Sequence, residues 1–164
     1  MRLNPNDVVL TNRSIAKKII EYFNPQGLCL DPCKGKGAFY DYMSHPKEYC
    51  EIQENIDFFT YLKSVDWIIS NPPYSNYDNF LLHSFEIAKN IVYLIPLSKI
   101  FRGKVIQEKA EHYGNIKTIL IIGTGNELNF PMGFMCGCVH YEKEYNGLCK
   151  IERLDIKQKE KLFK

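Results

Sequence analysis

The apolar positions of this chain alternate between two spacings. Residues 12 to 23 put Ile15, Ile19, Tyr22 and Phe23 on one side of a helix. Thr11 or Asn12 supplies its N-cap, and Asn24-Pro25-Gln26-Gly27 ends it. Leu28-Cys29-Leu30 reads as a short buried strand, and residues 38 to 43 as a short helix. Residues 48 to 52 form a second strand, residues 57 to 59 a short strand or a turn, and residues 65 to 70 another strand. Residues 77 to 89 are amphipathic, with Phe80, Leu81, Phe85 and Ala88 on one side. A strongly apolar strand over 90 to 97 is stopped by Pro96. Residues 98 to 113 read as a helix, and 116 to 122 and 136 to 142 as the last two strands. The strand runs are nearly continuous in apolar residues and alternate with helices. That pattern means an α/β fold with a mainly parallel sheet covered on both faces.

Bulk properties narrow the class. At 164 residues with 45% hydrophobic content, one globular domain is expected, over residues 1 to 149. Residues 150 to 164 read as a charged tail, either a helix or a frayed end, with Lys150, Arg153, Lys157, Lys159, Lys161 and Lys164 available to a nucleic-acid backbone. The net charge of +2 gives no global field that demands nucleic acid. No apolar run approaches the ~20 residues that span a bilayer. Met1-Arg2-Leu3-Asn4-Pro5 lacks the apolar core of a signal peptide. The expectation is a soluble, cytoplasmic chain with no membrane partner. Cys29, Cys33, Cys50, Cys136, Cys138 and Cys149 have no zinc-type spacing, so reduced thiols and no metal are expected.

The chemistry concentrates in two turns. Asn71-Pro72-Pro73-Tyr74 follows the strand over 65 to 70. Each proline fixes φ near −65°, lacks an N–H, and pushes the preceding residue out of the helical region. A carboxamide, a carbonyl and an aromatic ring therefore sit in fixed relative positions. Together they can accept two hydrogen bonds from a planar amino group while a ring stacks on its plane. The second turn, Asp31-Pro32-Cys33-Lys34-Gly35-Lys36-Gly37, follows the first strand. Its two glycines permit a tight turn and close backbone approach to a ligand. It lacks both nucleotide-phosphate fingerprints, and Asp31 would repel a phosphate. Asp31 suits an ammonium group instead. Glu51, 20 residues on, can accept both hydroxyls of a ribose, and Asp57 can accept from an amino group such as that of adenine. S-adenosylmethionine carries all three groups.

With these residues the chain resembles the amino-methyltransferases of the class I S-adenosylmethionine-dependent family. It is most similar to DNA adenine methyltransferases in which the cofactor motifs precede the catalytic motif. The resemblance covers roughly residues 8 to 142. Asp31-Pro32-Cys33-Lys34-Gly35-Lys36-Gly37-Ala38-Phe39 resembles the family's D-P-x-x-G-x-G-x-F motif, and Asn71-Pro72-Pro73-Tyr74 its (D/N)-P-P-(Y/F/W) motif. Thr11-Asn12-Arg13-Ser14-Ile15-Ala16 matches its N-terminal T-P-x-x-(I/L)-(A/V) segment in part, with Asn12 where proline is usual.

The resemblance implies a single Rossmann-like domain with a mainly parallel seven-stranded sheet, an antiparallel last strand, and helices on both faces. It implies S-adenosyl-L-methionine as cofactor, held by Thr11, Asp31, Pro32, Gly35, Gly37, Phe39, Glu51, Asp57 and Asn71. Asn71, Pro72, Pro73 and Tyr74 would be catalytic, with Tyr74 stacked on a flipped base. Apart from the resemblance, Lys99, Arg102 and Lys104 follow the apolar strand at the catalytic edge and suit either phosphates or a solvated helix face. Phe130 lies in the stretch Asn129-Phe130-Pro131-Met132-Gly133-Phe134, suited to cover the target base, whose plainer reading is a hairpin between the last two strands. Lys34 and Lys36 depart from a loop that is usually neutral, and are expected to point to solvent.

The expected activity is methyl transfer to the exocyclic amino group of adenine in DNA, with the same amino-methylation on adenine or guanine of RNA as the alternative. No separate target-recognition domain is expected, so a homodimer or a partner subunit would supply recognition. Two further readings are a protein glutamine as acceptor and a non-catalytic partner subunit. The first lacks the sizeable N-terminal helical domain such enzymes carry. Against the second stand Asp31, Gly35, Gly37 and Asn71-Pro72-Pro73-Tyr74, none of which a dead subunit need keep.

Overall fold

Along the strand β4 (Ala88–Pro96), successive side chains enter two different apolar clusters. Ile91, Tyr93 and Ile95 join one, while Val92 and Leu94 join the other. Both faces of the sheet are therefore packed, which accounts for the unbroken apolar runs in the sequence. The computed structural model describes residues 9–101, 103–131 and 133–156.

The elements follow one another as α1 (Arg13–Phe23), β1 (Cys29–Asp31), β2 (Lys47–Tyr49), β3 (Val65–Ser70), α2 (Tyr77–Ile87), β4, α3 (Lys104–Tyr113), β5 (Ile116–Thr124), β6 (Met135–Glu142) and β7 (Lys150–Arg153). They build one seven-stranded sheet in the order β2-β1-β3-β4-β6-β5-β7. All neighbours pair parallel except β6, which runs antiparallel to β4 and β5. The expected antiparallel strand is thus present, with one more strand after it. Lys150–Arg153, read from its charges as helix or frayed end, pairs parallel with Thr118 to Ile121 at the sheet edge. An edge strand tolerates charge because its outer side meets water. Lys157, Lys159, Lys161 and Lys164 lie outside the described residues.

One face is covered by α1, which buries Ile15, Ala16, Ile19 and Ile20. Tyr22, expected on that buried face, instead reaches Glu152 on β7. The other face carries α2 and α3, through Phe80, Leu81, Phe85 and Tyr113. The side chain of Asn12 caps α1 by accepting from the Ser14 N–H at 2.9 Å. The helix expected over 98 to 113 splits at Gly103, whose extended backbone separates a 3-10 turn at Leu97–Ile100 from α3. Between Cys50 and Val65 lie two 3-10 turns, Ile52–Glu54 and Phe58–Thr60, and an isolated antiparallel bridge between Glu51 and Ile56. The strand or turn expected at 57 to 59 is therefore a turn.

Topology directs attention to one edge. From β1 the chain steps outward to β2, then returns to β3 on the other side of β1. The crevice above the carboxyl ends of β1 and β3 is where the strand order reverses, and open α/β sheets bind ligands at such points. Asp31 ends β1, and Asn71 follows β3 directly.

Candidate active site

The Asp31 side chain is 1% exposed. Its Oδ1 accepts from the Ser70 hydroxyl at 2.7 Å and from the Cys33 N–H at 3.2 Å. Its Oδ2 is buried and has no partner. Burial pushes this carboxyl up to about 6, against the pull of the Ser70 hydroxyl and the Cys33 and Tyr40 backbone N–H groups. A buried carboxylate oxygen without a partner is costly, and a cationic donor relieves it.

The glycine turn packs beside this group. Gly35 and Gly37 adopt φ of 50° and 79°, conformations that favour glycine. A Cβ on Gly37 would also meet the Asp41 carboxylate at 2.9 Å. The Gly35 N–H donates to Glu51 Oε2 at 2.7 Å, which ties the turn to the end of β2. Glu51 Oε1 accepts from the Gln53 N–H at 3.0 Å. Each Glu51 oxygen thus holds one backbone N–H and keeps further lone-pair capacity. Asp57 caps the turn Phe58–Thr60 by accepting from the Phe59 N–H at 2.9 Å. Phe39, two residues after Gly37, is buried among the core residues under α1.

Lys34 does not point to solvent. Its ammonium pairs with Glu54 at 2.9 Å and lies 3.6 Å from the centre of the Tyr49 ring. A carboxylate and an aromatic face both attract a cation. Lys36 is exposed, as expected.

The Asn71 side chain is held by the segment before α1. Its Nδ2 donates to the Val9 carbonyl at 3.0 Å and to Thr11 Oγ1 at 3.1 Å. Its Oδ1 is buried without a partner. The Pro73 carbonyl accepts from the Asn76 N–H at 3.1 Å, so the turn closes on itself behind Pro72.

Tyr74 differs from its expected role. Stacking on a base requires an open face, but the ring is 6% exposed and sits in the α2 cluster. Tyr74 starts the 3-10 turn Tyr74–Asn76, and its carbonyl accepts from Lys99 Nζ at 2.9 Å. Its buried hydroxyl approaches the Asn71 side chain without reaching hydrogen-bonding geometry. Lys99, expected on phosphates, instead anchors this turn. Arg102 lies outside the described residues.

Phe130 is also a correction. It is 4% exposed and packs with Leu128 and Ile122 in the α1 cluster. The loop folds back as a hairpin: the Gly125 N–H donates to the Phe134 carbonyl and the Phe130 N–H to the Gly125 carbonyl, both at 2.8 Å. The exposed aromatics at this edge are Phe134, 61% exposed, and Phe101, 82% exposed. Phe134 directly precedes β6, and Phe101 follows the 3-10 turn Leu97–Ile100 after β4, whose end Pro96 faces Cys136.

Sequence reading missed Ser70 and Phe101. A small polar residue ending an otherwise apolar strand was the available signal for Ser70. Phe101 had none beyond its aromaticity.

A groove of about 520 Å³ runs along the outer flank of α2, lined by Phe59, Asn76, Asn79, Leu82, His83 and Glu86. It contains none of the candidate site residues. All six cysteines are free thiols. Among the described residues, no cluster of His, Cys, Asp and Glu could hold a metal ion, and no helix is long and apolar enough to cross a membrane.

No protein-family model matches the chain, and no curated protein sequence matches it. Solved structures do. A Listeria monocytogenes protein provisionally described as a class I S-adenosylmethionine-dependent methyltransferase matches with a TM-score of 0.72 at 13% identity, over 93% of this chain and 68% of that one. The methyltransferase subunit of a Streptococcus thermophilus type I restriction-modification system matches with a TM-score of 0.63 at 15% identity, over 84% and 45%. A Pyrococcus horikoshii protein provisionally described as an RNA methyltransferase matches with a TM-score of 0.58 at 15% identity, over 83% of both chains. The chain thus spans about two thirds of the first and less than half of the second. These likenesses show the fold, which is that of the class I methyltransferases.

Proposed function

We propose that this chain transfers a methyl group from S-adenosylmethionine to the exocyclic amino group of adenine in DNA. One observation carries the reading. Asn71 Oδ1 is a buried acceptor without a partner, and both N–H groups of the same side chain are already used.

The residues at the carboxyl ends of β1 and β2 fit the cofactor. Asp31 Oδ2 suits its ammonium group, the positive-φ glycines permit close backbone approach, and Glu51 and Asp57 suit its ribose and adenine. When bound, S-adenosylmethionine supplies an electrophilic methyl carbon on a sulfonium sulfur.

The chain's own residues prepare the acceptor. Adenine's amino lone pair is delocalised into the ring, so that nitrogen is a poor nucleophile. Asn71 Oδ1 and the Pro72 carbonyl accept its two N–H bonds and draw the nitrogen toward tetrahedral geometry, which frees the lone pair. As positive charge develops, each such bond contributes on the order of 1.5–3 kcal/mol. No general base is required, because the product cation is acidic enough to release its proton to water. Ser70 holds Asp31, Lys99 holds the Tyr74 carbonyl, and Val9 with Thr11 holds Asn71, so these groups are fixed before substrate arrives. Stacking by Tyr74 requires its ring to turn out of its buried position. Phe134 and Phe101 already present aromatic surface at the same edge, suited to an unstacked base.

The P. horikoshii likeness, which is matched in length, makes the same amino-methylation on RNA, at adenine or guanine, the second reading. Transfer of labelled methyl to duplex DNA, single-stranded DNA, total RNA and protein separates them. Label in N6-methyladenine of DNA is the expected result. Label confined to RNA would move the substrate to the second reading, and label in a protein glutamine would overturn both.

A further inference from the structure

An acceptor role for Asn71 depends on which way its carboxamide faces. The oxygen and nitrogen ends are nearly identical in shape, so an unheld side chain turns either way. Here the Val9 carbonyl lies 3.0 Å from Nδ2. A carbonyl only accepts, so a reversed carboxamide would set two acceptors against each other. Thr11 Oγ1, 3.1 Å from the same nitrogen, occupies the second N–H. Thr11 is itself held, because the next residue, Asn12, caps α1 through the Ser14 N–H.

We infer that Thr11 is a positioning residue, which with the Val9 carbonyl locks Asn71 Oδ1 in its accepting orientation. The inference rests on the reading of Asn71 as the amino-group acceptor. Resemblance implied that Thr11 touches the cofactor, whereas its hydroxyl oxygen is engaged by Asn71. Each N–H bound to the N-terminal segment is also one that cannot compete for the base. The segment before α1 therefore controls the acceptor without touching the reacting atoms.

The variants are Thr11→Val, which is nearly isosteric but cannot accept, and Thr11→Ser, which can. A single hydrogen bond of this kind corresponds to about a three- to tenfold change. We expect kcat to fall by that factor in Thr11→Val, with calorimetric affinity for S-adenosylmethionine within about twofold of the native chain. Thr11→Ser should restore kcat, and Thr11→Val should cost nothing further in an Asn71→Ala background. The side-chain amide of Asn71, followed by nitrogen-15 NMR, should lose its exchange protection in Thr11→Val and keep it in Thr11→Ser. Cofactor affinity falling in step with turnover would make Thr11 a cofactor contact and overturn the inference. An unchanged Asn71 amide in Thr11→Val would overturn it too. That NMR result is decisive even if the native chain methylates no nucleic acid, in which case the acceptor reading fails separately.

Discussion

Lowering the pH from 7 to 5 should weaken S-adenosylmethionine binding by about tenfold through one carboxyl group, Asp31. Burial raises its pKa from 3.8 to about 6 in the chain without ligand. That shift of about two units corresponds to roughly 3 kcal/mol of penalty for holding the anion there. An ammonium group beside the unpartnered Oδ2 offsets this penalty, so the carboxyl of the complex titrates lower than that of the free chain. Affinity is then flat above about pH 6 and falls about tenfold per unit below it, as the free chain takes up a proton that the complex excludes.

The same group acts on stability with the opposite sign. Between 3.8 and about 6 the folded chain binds more protons at Asp31 than the unfolded chain, so its contribution to stability falls as pH rises through that window. Asp31→Asn should therefore raise the unfolding free energy at pH 7, by up to about 3 kcal/mol, while weakening cofactor binding and removing its pH dependence. Titration calorimetry from pH 5 to 8 at constant ionic strength, with denaturant unfolding of both chains, reads each effect. Affinity that ignores pH between 5 and 7, or an Asp31→Asn chain that binds as tightly as the native one, would refute the reasoning.

His140 gives a second pH effect. It is buried, stacks on Trp67 and meets Asn90 Oδ1 at 2.9 Å, and burial lowers its pKa from 6.5 to about 4. The unfolded chain binds the extra proton between those values, so stability should fall by roughly 3 kcal/mol as pH drops from 6.5 to 4. Because Asp31 opposes this, the slope should be read against a His140→Gln chain, and equal slopes would contradict the assignment. Gly27 has φ of 86°, and a Cβ there would lie 2.3 Å from Asp66 Oδ2, which accepts the Leu28 N–H. Gly27→Ala should cost about 1–3 kcal/mol in denaturant unfolding; an unchanged midpoint would show that the turn can rearrange.

The sheet was legible in the sequence because its strands are buried on both faces. Val65–Ser70 matches its expected bounds, since a run with Val65, Trp67, Ile68 and Ile69 ends at a proline-rich turn. Boundaries slipped where local chemistry overrode the pattern. Gly103 broke a helix that periodicity alone continued. Lys150–Arg153 joined the sheet although its charges suggested a tail, because backbone pairing to β5 does not depend on its outward side chains. The positive-φ glycine turn after β1 and the position of Asn71 after β3 were legible, because both follow directly from turn chemistry at strand ends. Orientation could not. Tyr74, Phe130 and Phe39 are aromatic residues that a core and a ligand surface want equally, and the structure gave all three to the core. Lys34 and Lys99 found partners, Glu54 and the Tyr74 carbonyl, that lie 20 and 25 residues away in the chain and leave no local trace.

The central claim is that Asn71 Oδ1 accepts a hydrogen bond from the amino group that is methylated. Its most direct measurement is single-turnover methyl transfer at saturating S-adenosylmethionine, with the product base identified by mass spectrometry, for the native chain and Asn71→Ala. The account predicts N6-methyladenine from the native chain, a rate lower by about one to two orders of magnitude in the variant, and cofactor affinity little changed between them. Equal rates in the two chains would contradict it.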